Sequence, residues 1–341
     1  MRQLTQLGLL VHAITVQTGY CFFFPSFGPP SLESYNVDEN AVSVSGLSSG
    51  ASMAVQFHAA FSSRVMGLGV MAGVPYGCAG LTGMTIPLCT LSPSLINTQV
   101  LISGTESAAV IGAIDNTNNT ANDKIFIYNG LSDSVVNSDV GQKLVEFYQH
   151  FTSNQGNIMT KLDLDAEHGV PTLQYGGPCT SFNPQYLLNC NYWTAYHMLN
   201  HIYGGQLQEP TASTTQSGQF LQFDQSDMFH LSTPGMYSMD TIGYIYVPSG
   251  CADKTTECKL HIAFHGCQQG RYFIGNTFAR HAGYNEVGEL NNILILYPQV
   301  ISSLTNPLGC WDWWGYTGIY YRTQYGFQMT AVRRMMEAVI G

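Results

Sequence analysis

Residues 41–61 constrain the fold more than any other stretch of the chain. Ala41-Val42-Ser43-Val44-Ser45 is a short β-prone run, and from Ala51 to Phe61 the apolar residues recur at helical spacing. Only Gly46-Leu47-Ser48-Ser49-Gly50 lies between them. The glycines permit a turn too tight for side chains, and that turn leaves the Ser48 hydroxyl exposed above the edge of a sheet. In a chain rich in Gly and Ser, the pattern G-x-S-x-G is weak by itself. Between a strand and a helix it has the context of a nucleophile elbow.

The same alternation continues along the chain. Strands are expected at residues 65–72, 124–128, 158–164, 243–247, 260–264 and 293–297, with 243–247 and 260–264 read as a pair. Helices are expected at 140–151, 277–290 and 329–340. Strands alternating with helices imply a mostly parallel α/β sheet flanked by helices in a single domain. Residues 209–218 form the one linker-like segment. Residues 1–20, with Arg2 ahead of an apolar stretch, read as a signal peptide. Residues 21–35 form a Pro-rich leader, and 36–341 the catalytic domain.

A serine hydroxyl needs a base to remove its proton, and the base needs a carboxylate to hold its tautomer. Asp133 directly follows the strand expected at 124–128, and His168 follows the strand expected at 158–164. Both stand on loops after strands, in the order Ser, Asp, His of an α/β-hydrolase. Asp163 and Asp165 lie too close before His168 in the chain to reach back to its ring. Asp139 belongs to the start of a helix, and His58 and His150 lie within helical runs. His197 and His201 have the i, i+4 spacing of a zinc helix but lack a Glu after the first histidine. No metal and no other cofactor is expected.

Composition narrows the class of protein. Only 10% of the residues are charged, and the net charge is −10 with 12 Lys and Arg, which argues against nucleic-acid binding. No apolar run reaches the about 18 residues needed to span a bilayer, while 45% hydrophobic residues supply a core. Of the 9 cysteines, Cys21 falls at the edge of the expected signal segment. Among the rest, Cys78 and Cys89, Cys179 and Cys190, and Cys251 and Cys258 are eleven, eleven and seven positions apart. Each pair closes a short local loop, which leaves Cys267 to pair with Cys310. Four disulfides imply an oxidising compartment. The sequon Asn118-Asn119-Thr120 also fits export.

Acyl transfer also needs donors for the developing oxyanion. One is the N–H of the residue after the nucleophile, Ser49. The other comes from a loop containing His-Gly after an early strand, and Phe264-His265-Gly266-Cys267 supplies such a loop. It lies far downstream of Ser48, whereas the usual order places it upstream. The chain therefore reads as a circularly permuted α/β-hydrolase cut before its nucleophile strand, with its ends close together.

Val44-Ser45-Gly46-Leu47-Ser48-Ser49-Gly50, His265-Gly266-Cys267-Gln268-Gln269, Leu296-Tyr297-Pro298-Gln299 and Gly309-Cys310-Trp311-Asp312-Trp313 resemble extracellular poly(3-hydroxybutyrate) depolymerases. The permuted order resembles the single-domain fungal type. The resemblance runs from about Asn36 to the C-terminus and departs at Ala51, where the family usually has a second Gly. It implies Ser48, Asp133 and His168 as the triad and the N–H groups of Ser49 and Cys267 as the oxyanion hole. It also implies that Trp313 lines the cleft. A Cys267–Cys310 bridge would set Trp311 beside it as a further substrate contact. The expected activity is that of a secreted, extracellular serine esterase cleaving poly[(R)-3-hydroxybutyrate]-type polyesters to oligomers or monomers.

The expected partner is a polyester or small ester substrate, with no nucleic acid and no membrane, and the protein is expected to be a monomer. The alternatives are a secreted carboxylesterase for aryl or feruloyl-like esters and a hydrolase-fold binding module without activity.

Overall fold

The computed structural model describes residues 28–81 and 83–341. The signal segment assigned to 1–20 and Cys21 lie outside the described residues. One long sheet and one short parallel sheet of three strands carry the strands. In chain order the elements are β1 (Val37–Leu47), α1 (Ser49–Ala60), β2 (Gly67–Met71), α2 (Ile86–Leu91), α3 (Thr98–Val110), β3 (Lys124–Tyr128), α4 (Asp139–Phe151) and β4 (Ile158–Lys161). Next come β5 (Val170–Thr172), β6 (Gly177–Pro178), β7 (Leu187–Asn189), α5 (Thr194–Ile202), β8 (Gln219–Asp224), β9 (Ile242–Val247) and β10 (Cys258–Phe264). The chain closes with α6 (Arg271–Ile274), α7 (Thr277–His281), α8 (Tyr284–Asn291), β11 (Ile293–Tyr297) and α9 (Phe327–Ile340).

The main sheet has 8 strands in the order β4-β3-β2-β1-β10-β11-β9-β8. The run from β4 to β11 is parallel, and β9 joins β11 antiparallel. Its central strands are apolar without alternation because both faces are covered. Val42, Val44, Ile125, Ile127, Leu260, Ile262, Leu294 and Leu296 face one core, built with Met53 and Phe57 of α1, Leu144 of α4 and Met335 of α9. Leu47, Phe126, Tyr128, Ile293, Ile295 and Tyr297 face the other, built with Met198 of α5, Phe278 of α7 and Val287 of α8.

The chain enters this sheet at its centre. Tyr35, just before β1, donates its N–H to Val339 O near the end of α9 at 2.8 Å. The helix that ends the chain thus abuts the strand that begins the described domain. This is a circularly permuted α/β-hydrolase fold.

Three local expectations are corrected. The strands expected at 243–247 and 260–264 do not pair: β10 lies between β1 and β11, while β9 lies between β11 and β8. β10, buried along nearly its whole length, takes the centre, and β9 carries the edge hairpin with β8. β8 itself was not expected, because as an edge strand (Gln-Phe-Leu-Gln-Phe-Asp) it is largely exposed and lacks the apolar run of its neighbours. The helix expected at 277–290 is broken into α7 and α8 at Gly283, whose φ is 86°. The Trp193 indole N–H donates to Gly283 O at 2.9 Å, and a Cβ on Gly283 would lie 2.5 Å from that nitrogen.

All eight cysteines of the described chain are bridged: Cys78–Cys89, Cys179–Cys190, Cys251–Cys258 and Cys267–Cys310. Among the described residues no helix is long and apolar enough to cross a membrane.

Candidate active site

The turn between β1 and α1 is as tight as the sequence requires. Ser48 sits at φ 57°, ψ −120°, a region a residue with a Cβ occupies only under constraint. Its N–H donates to Met71 O on β2 at 2.8 Å. A Cβ on Gly46 would come within 2.3 Å of the Gly50 backbone, and one on Gly50 within 2.4 Å of His265 O and Phe264 O. The two glycines therefore let strand, turn and the loop after β10 close on one another. Neither position admits any other residue without moving backbone.

That loop is fixed from several sides. His265 is fully buried between Phe278 and Trp311. Its Nε2 accepts the Val300 N–H at 3.2 Å, so Nδ1 carries the proton and donates to Gly266 O at 2.7 Å. Burial lowers its pKa to about 4, which keeps the ring neutral. Gln269 accepts the Gly266 N–H at 2.8 Å and donates to Gln185 O at 3.0 Å and to Tyr186 O at 3.3 Å. The Cys267–Cys310 bridge adds a covalent tie. Among the described residues, neither the Ser49 N–H nor the Cys267 N–H donates a hydrogen bond. Both are thus available to a ligand.

Asp133 and His168 lie on loops after β3 and β4 and meet as a buried pair. His168 Nδ1 lies 2.8 Å from Asp133 Oδ2, and the two side chains are 4% and 1% exposed. Asp133 Oδ1 accepts the N–H groups of Val135 at 2.9 Å and Val136 at 2.7 Å. The carboxylate is thus saturated on one oxygen and committed to the imidazole on the other. This holds the Nδ1–H tautomer and leaves Nε2 for a reacting partner.

Ser48 and His168 line one cavity of about 140 Å³, walled by Leu47, Val135, Tyr186, Gly266, Cys267, Gln268 and Leu308. Larger hollows elsewhere on the surface hold neither residue. Tyr186 stands edge-on to the His168 ring, with centroids 5.9 Å apart, and its hydroxyl donates to Gln268 Oε1 at 3.1 Å. Sequence reasoning did not single out Tyr186, Val135 or Leu308. Their only sequence mark is proximity to Cys190, Asp133 and Cys310 along the chain.

Other expected side chains are placed elsewhere. Trp311 is a correction: it is fully buried and packs edge-on against Phe264, so it cannot touch substrate. The apolar space between α1 and the loop after β10 is filled by this indole rather than left as a cleft. Trp313 keeps 8% exposure and does not line the cavity at Ser48. Asp163 pairs with Lys161, Asp165 accepts from Ser132, and Asp139 opens α4. His58 lies 2.8 Å from Asp123 and His150 lies 2.8 Å from Glu106. His201 donates to Asn157 O while His197 stacks on Tyr192, so the zinc-like pair is split between separate partners. Among the described residues no group of His, Cys, Asp or Glu is placed to hold a metal ion.

A sheet of this topology, with a strained serine on the turn after its central strand and a carboxylate-bound imidazole on its cavity, is that of a serine ester hydrolase with the α/β-hydrolase fold. No family model matches the chain. It is 38% identical over 312 residues to the poly(3-hydroxybutyrate) depolymerase of Delftia acidovorans, covering 91% of this chain and 61% of that protein's length. It is 36% identical over 328 residues to the polyhydroxybutyrate depolymerase of Talaromyces funiculosus, covering 91% of this chain and 92% of that one. The crystal structure of PHB depolymerase from Penicillium funiculosum superposes with a TM-score of 0.84 at 35% identity, over 91% of this chain and 98% of that one. A PHB depolymerase variant complexed with an R3HB trimer matches equally well. The chain belongs to the polyhydroxybutyrate depolymerase family.

Proposed function

We propose that this chain, with residues 36–341 as its catalytic domain, is a secreted, extracellular esterase that hydrolyses poly[(R)-3-hydroxybutyrate]-type polyesters to short oligomers or monomers. Ser48, His168 and Asp133 are the proposed triad, and the N–H groups of Ser49 and Cys267 the proposed oxyanion hole. The observation that carries this reading is the strained Ser48 sharing one cavity with an imidazole whose Nδ1 lies 2.8 Å from a buried carboxylate. The family relationship supplies the polyester. Four disulfides support export.

In the proposed reaction His168 Nε2 takes the Ser48 proton as Oγ attacks the ester carbonyl carbon. The carbonyl oxygen gains charge and is met by the two backbone N–H groups. The imidazolium, steadied by Asp133, returns the proton to the leaving alcohol, and the C–O bond breaks to give the acyl-enzyme. Water, deprotonated by the same histidine, then releases the acid and restores Ser48. Val135, Tyr186 and Leu308 give the cavity apolar walls suited to an uncharged acyl chain, and Trp313, 8% exposed, is proposed as an outer contact.

Clearing of a polyhydroxybutyrate suspension with Ser48→Ala tests the assignment. Loss of clearing to background, about 10⁶-fold in kcat on p-nitrophenyl butyrate, is expected. Retained turnover would reject Ser48 as nucleophile. Turnover of the small ester by the unaltered protein without polymer clearing would reject the polyester and favour a small-ester carboxylesterase.

A further inference from the structure

We propose that Glu167 is a positioning residue of this reaction, a clasp that locks the acid loop and the base loop at their working separation and adds a second negative charge behind His168. The inference rests on the triad reading above.

The geometry is specific. Residues 131–134 run beside residues 164–167: Leu131 N–H donates to Leu164 O at 2.9 Å and Ser132 N–H to Ala166 O at 3.2 Å. Ser132 Oγ donates to Asp165 Oδ1 at 2.5 Å. At the end of this zipper Glu167 Oε1 accepts three hydrogen bonds, each of 2.8 Å: from the Ser134 N–H, the Ser134 hydroxyl and the His168 N–H. Ser134 follows Asp133, and Glu167 precedes His168. One carboxylate oxygen therefore grips the residue beside the acid and the backbone of the base itself. Its own N–H donates to Cys179 O at 2.8 Å, which ties the clasp to the Cys179–Cys190 loop that carries Tyr186.

A carboxylate is needed for this. An oxygen that accepts from three donors is most stable when ionised, and charge-assisted bonds are the stronger ones. Burial would raise the Glu167 pKa, but the bonds from His168 and Ser134 and the charge of a protonated His168 outweigh it and set it below the usual range. Glu167 is therefore anionic at neutral pH. The groups facing His168 are Asp133 at Nδ1, Glu167 behind its backbone, Tyr186 on its ring edge and Ser48 across the cavity. Asp165 stands beyond Ser132, and Tyr128, at the end of β3, feels the charges of Asp133 and Glu167. The charged neighbours among them are negative, and removing one disfavours the imidazolium.

The test is steady-state kinetics on p-nitrophenyl butyrate for Glu167→Ala, Glu167→Gln and Ser134→Ala of the full chain, with Ser48→Ala as control and near-UV circular dichroism to confirm folding. Glu167→Ala is expected to lower kcat about 100-fold with KM unchanged, the cost of a misplacement near 1 Å. Glu167→Gln keeps an accepting oxygen and is expected to recover all but about tenfold of kcat. Its acidic limb in the pH profile of kcat/KM is expected to move to lower pH, a shift that a purely structural role would not cause. Ser134→Ala removes one of the three bonds to Glu167 Oε1 and leaves both backbone donors, and is expected to lower kcat by less than Glu167→Ala does. Unchanged kcat in both Glu167 variants overturns the proposal, as does an unmoved acidic limb in folded Glu167→Gln. Activity retained by Ser48→Ala would instead overturn the triad reading, whatever the Glu167 variants do.

Discussion

Ser48 and the N–H groups beside it are held by backbone closure and a covalent bridge, whereas Asp133 and His168 are held by hydrogen bonds between two loops. On the first side glycines stand where a Cβ would meet backbone at 2.3 and 2.4 Å, and Cys267 is bonded to Cys310. On the second side two backbone bonds, Leu131 N–H to Leu164 O and Ser132 N–H to Ala166 O, are joined by side-chain ties: Asp133 on the N–H groups of Val135 and Val136, Glu167 on Ser134, and His168 on Asp133. The difference teaches what each half resists. The nucleophile side has no room for added volume and contains no charge that must be kept. The acid–base side is as tight at Gly130, where a Cβ would lie 2.2 Å from Ala166 O, and depends besides on where its negative charges sit.

The largest break in this comparison falls on the charged side. Asp133→Asn keeps the shape of the pair but favours the wrong imidazole tautomer, and kcat is expected to fall about 10⁴-fold without unfolding. Kinetics alongside circular dichroism check it, and near-parent kcat would move the acid role to another carboxylate.

On the other side the expected losses are of stability. Replacing Cys267 and Cys310 together by Ser opens a bridge of sequence separation 43 and is expected to cost about 4 kcal/mol of folding free energy. Urea unfolding measures it, and a loss of activity at concentrations where the fold persists would report the freed loop after β10 and support its proposed oxyanion role. Gly50→Ala drives a Cβ to 2.4 Å from two backbone carbonyl oxygens and is expected to cost about 3 kcal/mol. Thermal unfolding of this variant, compared with Gly130→Ala on the other side, whose Cβ would lie 2.2 Å from Ala166 O, tests whether the two halves resist added volume alike. A Gly130→Ala variant as stable as the parent would confine the constraint to the nucleophile half.

The smallest effect per step is pH. His261 is fully buried between Ser43 Oγ and Ser45 Oγ, each 2.7 Å from a ring nitrogen, and burial lowers its pKa to about 3. His265 is lowered to about 4 in the same way. In the unfolded chain both take up a proton near pH 6.5. The folded chain binds fewer protons below that pH, so the stability these residues contribute is fully present above it and declines as the pH falls. Each is expected to contribute a slope of about 1.4 kcal/mol per pH unit over that range. Urea midpoints between pH 4 and 7 check it, and a flat profile would show that neither ring is held neutral.

Much of the nucleophile side was legible in the chain, and less of the other. Gly46, Ser48 and Gly50 require one local backbone shape, so five residues disclose it. The His265-Gly266-Cys267 loop was readable for the same reason, and its downstream position disclosed the rotated strand order. Asp133 and His168 were candidates by their places after strands, and the structure sets them 2.8 Å apart. Glu167 and Ser134 could not be recognised as a pair, because nothing local says that residues 33 positions apart share an oxygen.

By itself, then, the chain determined what local stereochemistry and short-range pattern decide: the elbow, the alternation of strand and helix, and the order in which a hydrolase sheet is threaded. The tertiary structure alone decided that β9 turns to β11 and β8 rather than to β10, and that Trp311 fills a core while Trp313 stays 8% exposed. It also decided that Val135, Tyr186 and Leu308 wall the cavity. The physical reason is reach. A turn is settled by the φ and ψ that a few adjacent residues permit, whereas strand order and the fate of an aromatic ring depend on which buried faces, distant along the chain, are left to cover one another.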